Sequence, residues 1–158
     1  MIEKRREFNL ETHLLFIDYE KAFDNIQRQI LFNILKSRRI PDTMLKTIVD
    51  IYTQSKIMIK FNNKLSKPVE INEGVRQGCP LSSKLFNVYL NEIITKWQKQ
   101  DLTGIKLSKN QQLSTLLFAD DQVILADTED NLQKAAHELN QILTEHGLTI
   151  SRKKIDGI

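Results

Sequence analysis

LSTLLFADDQVILA, residues Leu113–Ala126, is the stretch on which the fold turns. Two apolar runs, Leu113–Ala119 and Gln122–Ala126, are separated only by Asp120 and Asp121. Apolar runs this short, bounded by polar residues, read as buried strands. The pair is therefore a tight strand–turn–strand with carboxylates at its tip. A third short apolar run, HLLFI (His13–Ile17), is followed directly by Asp18. If the two strands ending in acids are neighbours, Asp18, Asp120 and Asp121 meet at one end of a sheet. Carboxylates held that close resist ionising together unless cations lie between them. Hard divalent ions suit oxygen ligands, and Mg²⁺ typically takes one or two carboxylates plus substrate phosphates. Two such ions about 3.5–4 Å apart can activate a 3′-hydroxyl and stabilise a pyrophosphate leaving group. That is nucleotidyl transfer, which depends on positioning and charge neutralisation. Each acid also has a plain structural explanation. Asp favours turns, and a lone Asp18 is most simply a strand-ending residue. The pattern gains meaning from all three following apolar strands.

Outward from this centre, the chain alternates between periodicities. Asp24 with Gln27 three residues on makes a capping-box pattern, so a helix is expected from Asp24, with Ile26, Ile30, Leu31, Ile34 and Leu35 on one face. A second helix is expected after Pro41, with Leu45, Ile48, Val49 and Tyr52 inward. Ile57–Phe61 and Pro68–Ile71 flank the polar stretch Asn62–Lys67, which predicts a hairpin with a longer loop. Gly74 and Gly78 bracket a loop, and an apolar helix follows from about Leu81 to Trp97. Asp127 or Thr128 caps a further helix carrying Leu132, Ala135, Ala136, Leu139 and Leu143. Gly147 suits its C-terminal cap, and Leu148–Ile150 begins a last strand. Short antiparallel strands with helices packed on one face make an α+β architecture, expected as one domain over residues 1–158.

Composition narrows the function. Of 158 residues, 41% are hydrophobic and 27% charged, which is ordinary for a globular domain and argues against disorder. The formal net charge of +3 permits nucleic-acid binding without arguing for it. Of the two basic clusters, MIEKRR and SRKKI, the first reads as a solvated end. Cys79 is the single cysteine, which excludes an internal disulfide, and with three scattered histidines a zinc site has no ligand set. No apolar run approaches the ~18 residues of a membrane span.

Four segments carry a resemblance. FIDYEKAFD (Phe16–Asp24), GVRQGCPLSSKLFNVYLNEII (Gly74–Ile94), FADD (Phe118–Asp121) followed by QVIL, and GLTISRKK (Gly147–Lys154) resemble polymerase motifs A, B, C and D of non-LTR (LINE-like) reverse transcriptases, in family order over nearly the whole chain. FADD and RQGCPLS favour the non-LTR branch over retroviral enzymes, in which Met usually precedes the acidic pair. The resemblance implies a right-hand polymerase palm of ferredoxin-like form, active as an RNA-directed DNA polymerase. It implies two Mg²⁺ ions, with Mn²⁺ as a substitute, held chiefly by Asp18 and Asp120, with Asp121 as a third carboxylate that touches them less directly and the Tyr19 carbonyl helping to hold one. Lys21 and Ala22 would lie beside the triphosphate and Phe23 beneath the sugar, where it would exclude a 2′-hydroxyl. Gln77 and Gly78 would line the incoming nucleotide and template base, Lys154 would sit near the leaving pyrophosphate, and Arg76 would touch template or pair with a surface acid. The implied partners are an RNA template, a DNA primer and deoxynucleoside triphosphates, with no membrane. Fingers and thumb would belong to a longer polymerase, located in nucleus and cytoplasm. Two departures stand out. Ser83 follows Ser82 where the family commonly has Pro, and Ile155 follows Lys154 where it commonly has Thr, so Lys153 competes with Lys154 for the motif D role. Competing readings are a group II intron-like or telomerase-like reverse transcriptase, and an inactive relic kept as a folded module.

Overall fold

The computed structural model of the chain describes residues 2–108 and 111–151. Its elements run α1 (Ile2–Glu7), β1 (His13–Ile17), α2 (Arg28–Ser37), α3 (Asp42–Thr53), β2 (Lys56–Ile57), β3 (Lys60–Phe61), β4 (Lys64–Leu65), β5 (Val69–Glu70), α4 (Pro80–Gln98), β6 (Ile105–Ser108), β7 (Gln111–Leu113), β8 (Thr115–Phe118), β9 (Asp121–Ala126) and α5 (Glu129–Glu145). This is the expected α+β class. The backbone divides into two compact units. One comprises residues 1–22 and 91–158, the other residues 23–90. No helix among the described residues is long and apolar enough to cross a membrane.

The first unit is built on a three-stranded antiparallel sheet in the order β1-β9-β8. His13 pairs with Ala126 and Ile17 with Gln122, while Thr115 pairs with Ile124 and Phe118 with Asp121. Helix α5 packs against β9 and β1. Its inward residues Ala135, Leu139, Ile142 and Leu143 are buried, and each large aliphatic side chain removed from water contributes about 1.5–3 kcal/mol. Thr128 caps α5, its hydroxyl accepting from the Asn131 amide at 3.2 Å. At the other end the Leu148 and Gly147 amides donate back to the Leu143 and Thr144 carbonyls at 2.9 and 3.1 Å, closing the helix in a Schellman motif. Trp97, wholly buried, donates its indole N–H to the Ala135 carbonyl at 2.8 Å. The expected last strand reduces to a bridge of Ile150 with Tyr19.

In the second unit α2 and α3 pack together over a core that includes Ile26, Leu31, Leu35, Ile48 and Tyr52. The first half of α4 adds Leu85, Phe86, Tyr89 and Leu90 to the same unit's buried set. Three expectations need correcting. Helix α2 begins at Arg28, not Asp24, and its cap position, Gln27, makes no side-chain cap bond. The carbonyls of Phe23 and Ile26, at the two ends of the stretch 23–26, are engaged outside the helix. The Val75 amide donates to Phe23 O and the Gly74 amide to Ile26 O, each at 2.8 Å. The stretch Asn62–Lys67 is not a long loop. Strands β3 and β4 close on Asn62 and Asn63, both in the left-handed region at φ 46° and 58°, a pairing that suits a tight hairpin turn. The N-terminal stretch forms α1, and Arg5 reaches forward to donate to the Thr12 hydroxyl at 2.6 Å. The hairpin β6–β7, Ile105 opposite Leu113, has no counterpart among the sequence expectations.

Candidate active site

The register of the first unit decides which acids share a place. Ile17 stands opposite Gln122, so one step further Asp18 faces Asp121 across neighbouring strands. Successive side chains alternate between faces. Asp18 and Asp121 therefore share a face with Phe16 and Val123, and Ile17 and Gln122 point to the other. A cavity of about 380 Å³ is lined by Phe16, Ile17, Asp18, Asp121, Gln122 and Val123. Asp120 lies at the tip. The β8–β9 turn consists of Ala119 and Asp120 alone, and Ala119 takes φ 55°, a left-handed conformation that costs an L residue about 1–2 kcal/mol. Asp120 and Asp121 are exposed and Asp18 is half-buried.

Behind the acids lies a polar network. Tyr19, next to Asp18, is buried and donates its hydroxyl to Gln122 Oε1, next to Asp121. Gln122 Nε2 in turn donates to Thr115 Oγ1 at 3.1 Å, which donates to the Val123 carbonyl at 3.0 Å. Burial pushes the Tyr19 phenol well above its ordinary range. On the other edge the Glu20 amide donates to Thr149 O and the Ser151 amide to Asp18 O, at 2.9 and 2.8 Å. The residues flanking both acids are thus tied to one another, which holds the sheet end in shape.

The donor chemistry of this end fits a hard divalent cation. Two carboxylates from neighbouring strands face one cavity, and Mg²⁺ completes its shell with water and substrate oxygens. Among the described residues no three His, Cys, Asp or Glu side chains are gathered as ligands of one ion. By strand register the three aspartates fall into the facing pair Asp18–Asp121 and the tip residue Asp120. The histidines lie apart from any such set. His13 sits beside Glu11 at 3.8 Å, His137 beside Gln141 at 2.9 Å and His146 beside Lys96 at 3.1 Å.

The remaining site residues fall as follows. Lys21 is exposed at φ 45° and Ala22 is buried. In the second unit Phe23 is not a free ring. It stacks on Phe86 with centroids 4.8 Å apart. Gln77 donates to Asp24 Oδ1 at 3.1 Å. Gly78 takes φ 79° with open space where a Cβ would lie. Among the described residues Arg76 pairs with no acid. Its guanidinium donates to the Ile51 carbonyl at 3.0 Å and to the Ser55 hydroxyl at 2.9 Å, which caps the C-terminal end of α3. Ser82 begins the buried face of α4. It is buried and shares a 3.0 Å hydrogen bond with the Tyr52 hydroxyl. Lys153 and Lys154 lie outside the described residues.

Sequence reasoning missed Arg28. It is buried, with Nε donating to Gly74 O at 2.8 Å and Nη1 to Tyr52 O at 2.7 Å and to Ile71 O, and it lies over the Tyr52 ring. An arginine among the apolar residues of a helix start was the available signal, and the capping pattern at Asp24 masked it. Asp24, expected to cap, instead holds Gln77.

These motifs and this sheet define a class. The chain belongs to the reverse transcriptase (RNA-dependent DNA polymerase) family, whose model matches residues 2–158. It is 29% identical over 154 residues to the "Retrovirus-related Pol polyprotein from type-1 retrotransposable element R2" of Nasonia vitripennis, covering 98% of this chain and 15% of that protein. It is 30% identical over 131 residues to the "Transposon TX1 uncharacterized 149 kDa protein" of Xenopus laevis, covering 82% of this chain and 10% of that protein. In fold it is similar to a solved telomerase from Candida tropicalis, with a TM-score of 0.75 at 12% identity over 93% of this chain and 26% of that one. The LINE-like kinship read from the motifs is borne out, and the fold is that of a polymerase palm. The family uses divalent metal ions. The chain spans only 10–15% of these two relatives' length.

Proposed function

We propose that this chain is the palm of an RNA-directed DNA polymerase of a non-LTR retrotransposon, joining deoxynucleotides to a primer 3′-hydroxyl on an RNA template. The observation that carries the reading is the β1–β9 register, which sets Asp18 across from Asp121 beside the tip residue Asp120. Bound there, two Mg²⁺ ions would supply charge neutralisation for the attacking and leaving oxygens. The chain's own part is to bind and orient. Asp18, Asp120 and Asp121 supply the anionic ligands, and the Tyr19 carbonyl adds a neutral one. Main-chain groups of Lys21 and Ala22 face the triphosphate. Phe23, braced by Phe86, forms the floor under the sugar. Gln77, steadied by Asp24, and Gly78 line the base. Lys154 gives a proton to the departing pyrophosphate. Fingers and thumb come from elsewhere in the longer polyprotein, and the whole works in nucleus and cytoplasm.

The test has two arms. Mn²⁺ binding to the 158-residue chain, followed by electron paramagnetic resonance, should weaken at least tenfold in Asp18→Asn and in Asp121→Asn. Primer extension by a polymerase carrying this segment should vanish in Asp120→Asn, with the melting temperature within about 2 °C of the parent, since an exposed substitution stays within about 0.5 kcal/mol. Synthesis retained by Asp120→Asn refutes the catalytic assignment.

A further inference from the structure

We propose that Gln122 is a positioning residue of the site: bonded to Tyr19 on one side and to Thr115 on the other, it sets the spacing of Asp18 and Asp121 for a divalent cation. This role deepens the proposed function and rests on its assignment of the aspartates as ligands.

Backbone pairing stops short of the acids. The last β1–β9 pair is Ile17 with Gln122, so Asp18 lies one residue past the ladder. Tyr19 is the residue after it, and its hydroxyl returns to donate to Gln122 Oε1. Asp18 is thereby bracketed, by the ladder at Ile17 and by a side-chain bond at Tyr19, and both brackets end on Gln122. Gln122 is itself the chain neighbour of Asp121. Its amide nitrogen donates to Thr115 Oγ1 at 3.1 Å, and that hydroxyl donates to the Val123 carbonyl at 3.0 Å. The residue beside Asp121 thus ties β9 to β1 and to β8 at once.

Side-chain alternation puts these ties on the face away from Asp18 and Asp121. They act on the carboxylates through the backbone and leave the cation's face clear. Packing alone does not call for an amide here. Gln122 is 1% exposed and Tyr19 5%, and the next buried residues on the same face of β9 are Ile124 and Ala126. An aliphatic residue would fill the place without the desolvation that a buried amide suffers unless it is bonded. What the amide adds is direction. A fully bonded polar network in an apolar setting fixes one arrangement of its members, and a ligand set has to be held within about 0.5 Å to be productive.

The experiment is Mn²⁺ affinity of the 158-residue chain by electron paramagnetic resonance, with circular dichroism to report the fold. The double variant Tyr19→Phe, Gln122→Met keeps the shape of both side chains, and removing both partners of a buried bond leaves neither orphaned. It should fold as the parent does. It should bind Mn²⁺ about tenfold more weakly, the low end of the roughly 10–100-fold cost of losing a group that orients metal ligands. Thr115→Val should also weaken binding, and Thr115→Ser, which restores the hydroxyl, should return it to the parent value. Ile124→Val, a loss of packing on the same face further from the acids, should leave affinity unchanged. Parent-like affinity in the folded double variant would overturn the proposal. So would an equal loss in Ile124→Val, since the effect would then be a general loosening of the sheet. If the double variant does not fold, parent-like affinity in Thr115→Val overturns the proposal instead. Asp121→Asn separates this role from the ligand assignment beneath it. If Asp121→Asn binds Mn²⁺ as the parent does, that assignment fails and the positioning role falls with it. If Asp121→Asn loses affinity while the double variant keeps it, the positioning role alone is refuted.

Discussion

Gly74→Ala tests how tightly motif A and motif B segments are joined in the second unit. Gly74 sits at φ 74°, and a Cβ there would lie 2.6 Å from Asp24 O, 2.9 Å from Asp24 Cα and 3.0 Å from Asp24 C. All three are backbone atoms, so no side-chain rotation can relieve the contact. The left-handed conformation costs Ala about 1–2 kcal/mol. Forcing the backbones apart adds about 1–3 kcal/mol, as for other overpacked sites. The shift also strains the bonds from Gly74 N to Ile26 O and from Arg28 Nε to Gly74 O. Gly78→Ala is the internal reference, since φ is 79° and nothing lies within 4 Å of its Cβ, leaving only the conformational cost. At roughly 2–4 °C per kcal/mol for a chain of this size, Gly74→Ala should melt about 4–20 °C below the parent. It should also melt about 2–12 °C below Gly78→Ala, the part due to close approach alone. Differential scanning calorimetry of the three proteins at one pH reads this directly. If the two variants melt together, the approach of Asp24 to Gly74 costs nothing and the joining of the two segments is looser than the distances indicate.

Phe23→Ala should raise the ratio of ribonucleotide to deoxynucleotide kcat/KM about tenfold, within the ~1–3 kcal/mol that small steric differences supply. It also loses the Phe86 stack, itself worth about 0.5–1.5 kcal/mol, so an unchanged ratio with both efficiencies falling would reduce Phe23 to a packing residue. The second expectation concerns alkaline stability. Burial pushes Tyr89 up to about 12, against the lowering effect of its hydrogen bond to the Gln27 backbone, and burial raises Tyr19 as well. Both phenols keep their protons in the folded chain after the unfolded chain has lost them near pH 10, so stability is complete below pH 10 and falls as pH rises toward 12. Urea midpoints should decline over that window and decline less in Tyr89→Phe. Midpoints that stay level would contradict the sign.

Legibility in the sequence followed the range of the forces involved. The β1, β8 and β9 strands, the α5 cap at Thr128 and its close at Gly147 rest on local patterning, and all were readable. That acids of β1 and β9 stand at one end of the sheet was expected once neighbourhood was assumed; that Asp121, not Asp120, is the one across from Asp18 was not. What escaped rests on partners distant in sequence. Asp24 has every local mark of a helix cap, yet its carboxylate is engaged by Gln77. Phe23 was expected only beneath the sugar, and its stacking neighbour Phe86 is 63 positions away in sequence. Arg28 satisfies its charge on the carbonyls of Tyr52, Ile71 and Gly74, an arrangement with no local signature. In the β6–β7 hairpin the alternation of IKLS lasts only 4 residues and its partner QQL shows none, and Asn62–Asn63 turns without the glycine that usually advertises a tight hairpin.

The stitching between residues 23–28 and residues 71–77 has an evolutionary corollary. Phe23 and Ile26 accept from Val75 and Gly74, Gln27 bridges Glu73, and Arg28 and Asp24 grip the same returning strand. Everything strung between these pins is topologically a closed loop whose ends are already paired. The entropy of closing such a loop grows only with the logarithm of its length, about 0.6 kcal/mol for each doubling. The exposed β2–β5 hairpin within that loop is therefore free to lengthen or shorten at little cost, because the residues that make the pins, and the Tyr52 and Ile71 carbonyls that receive Arg28, lie outside it.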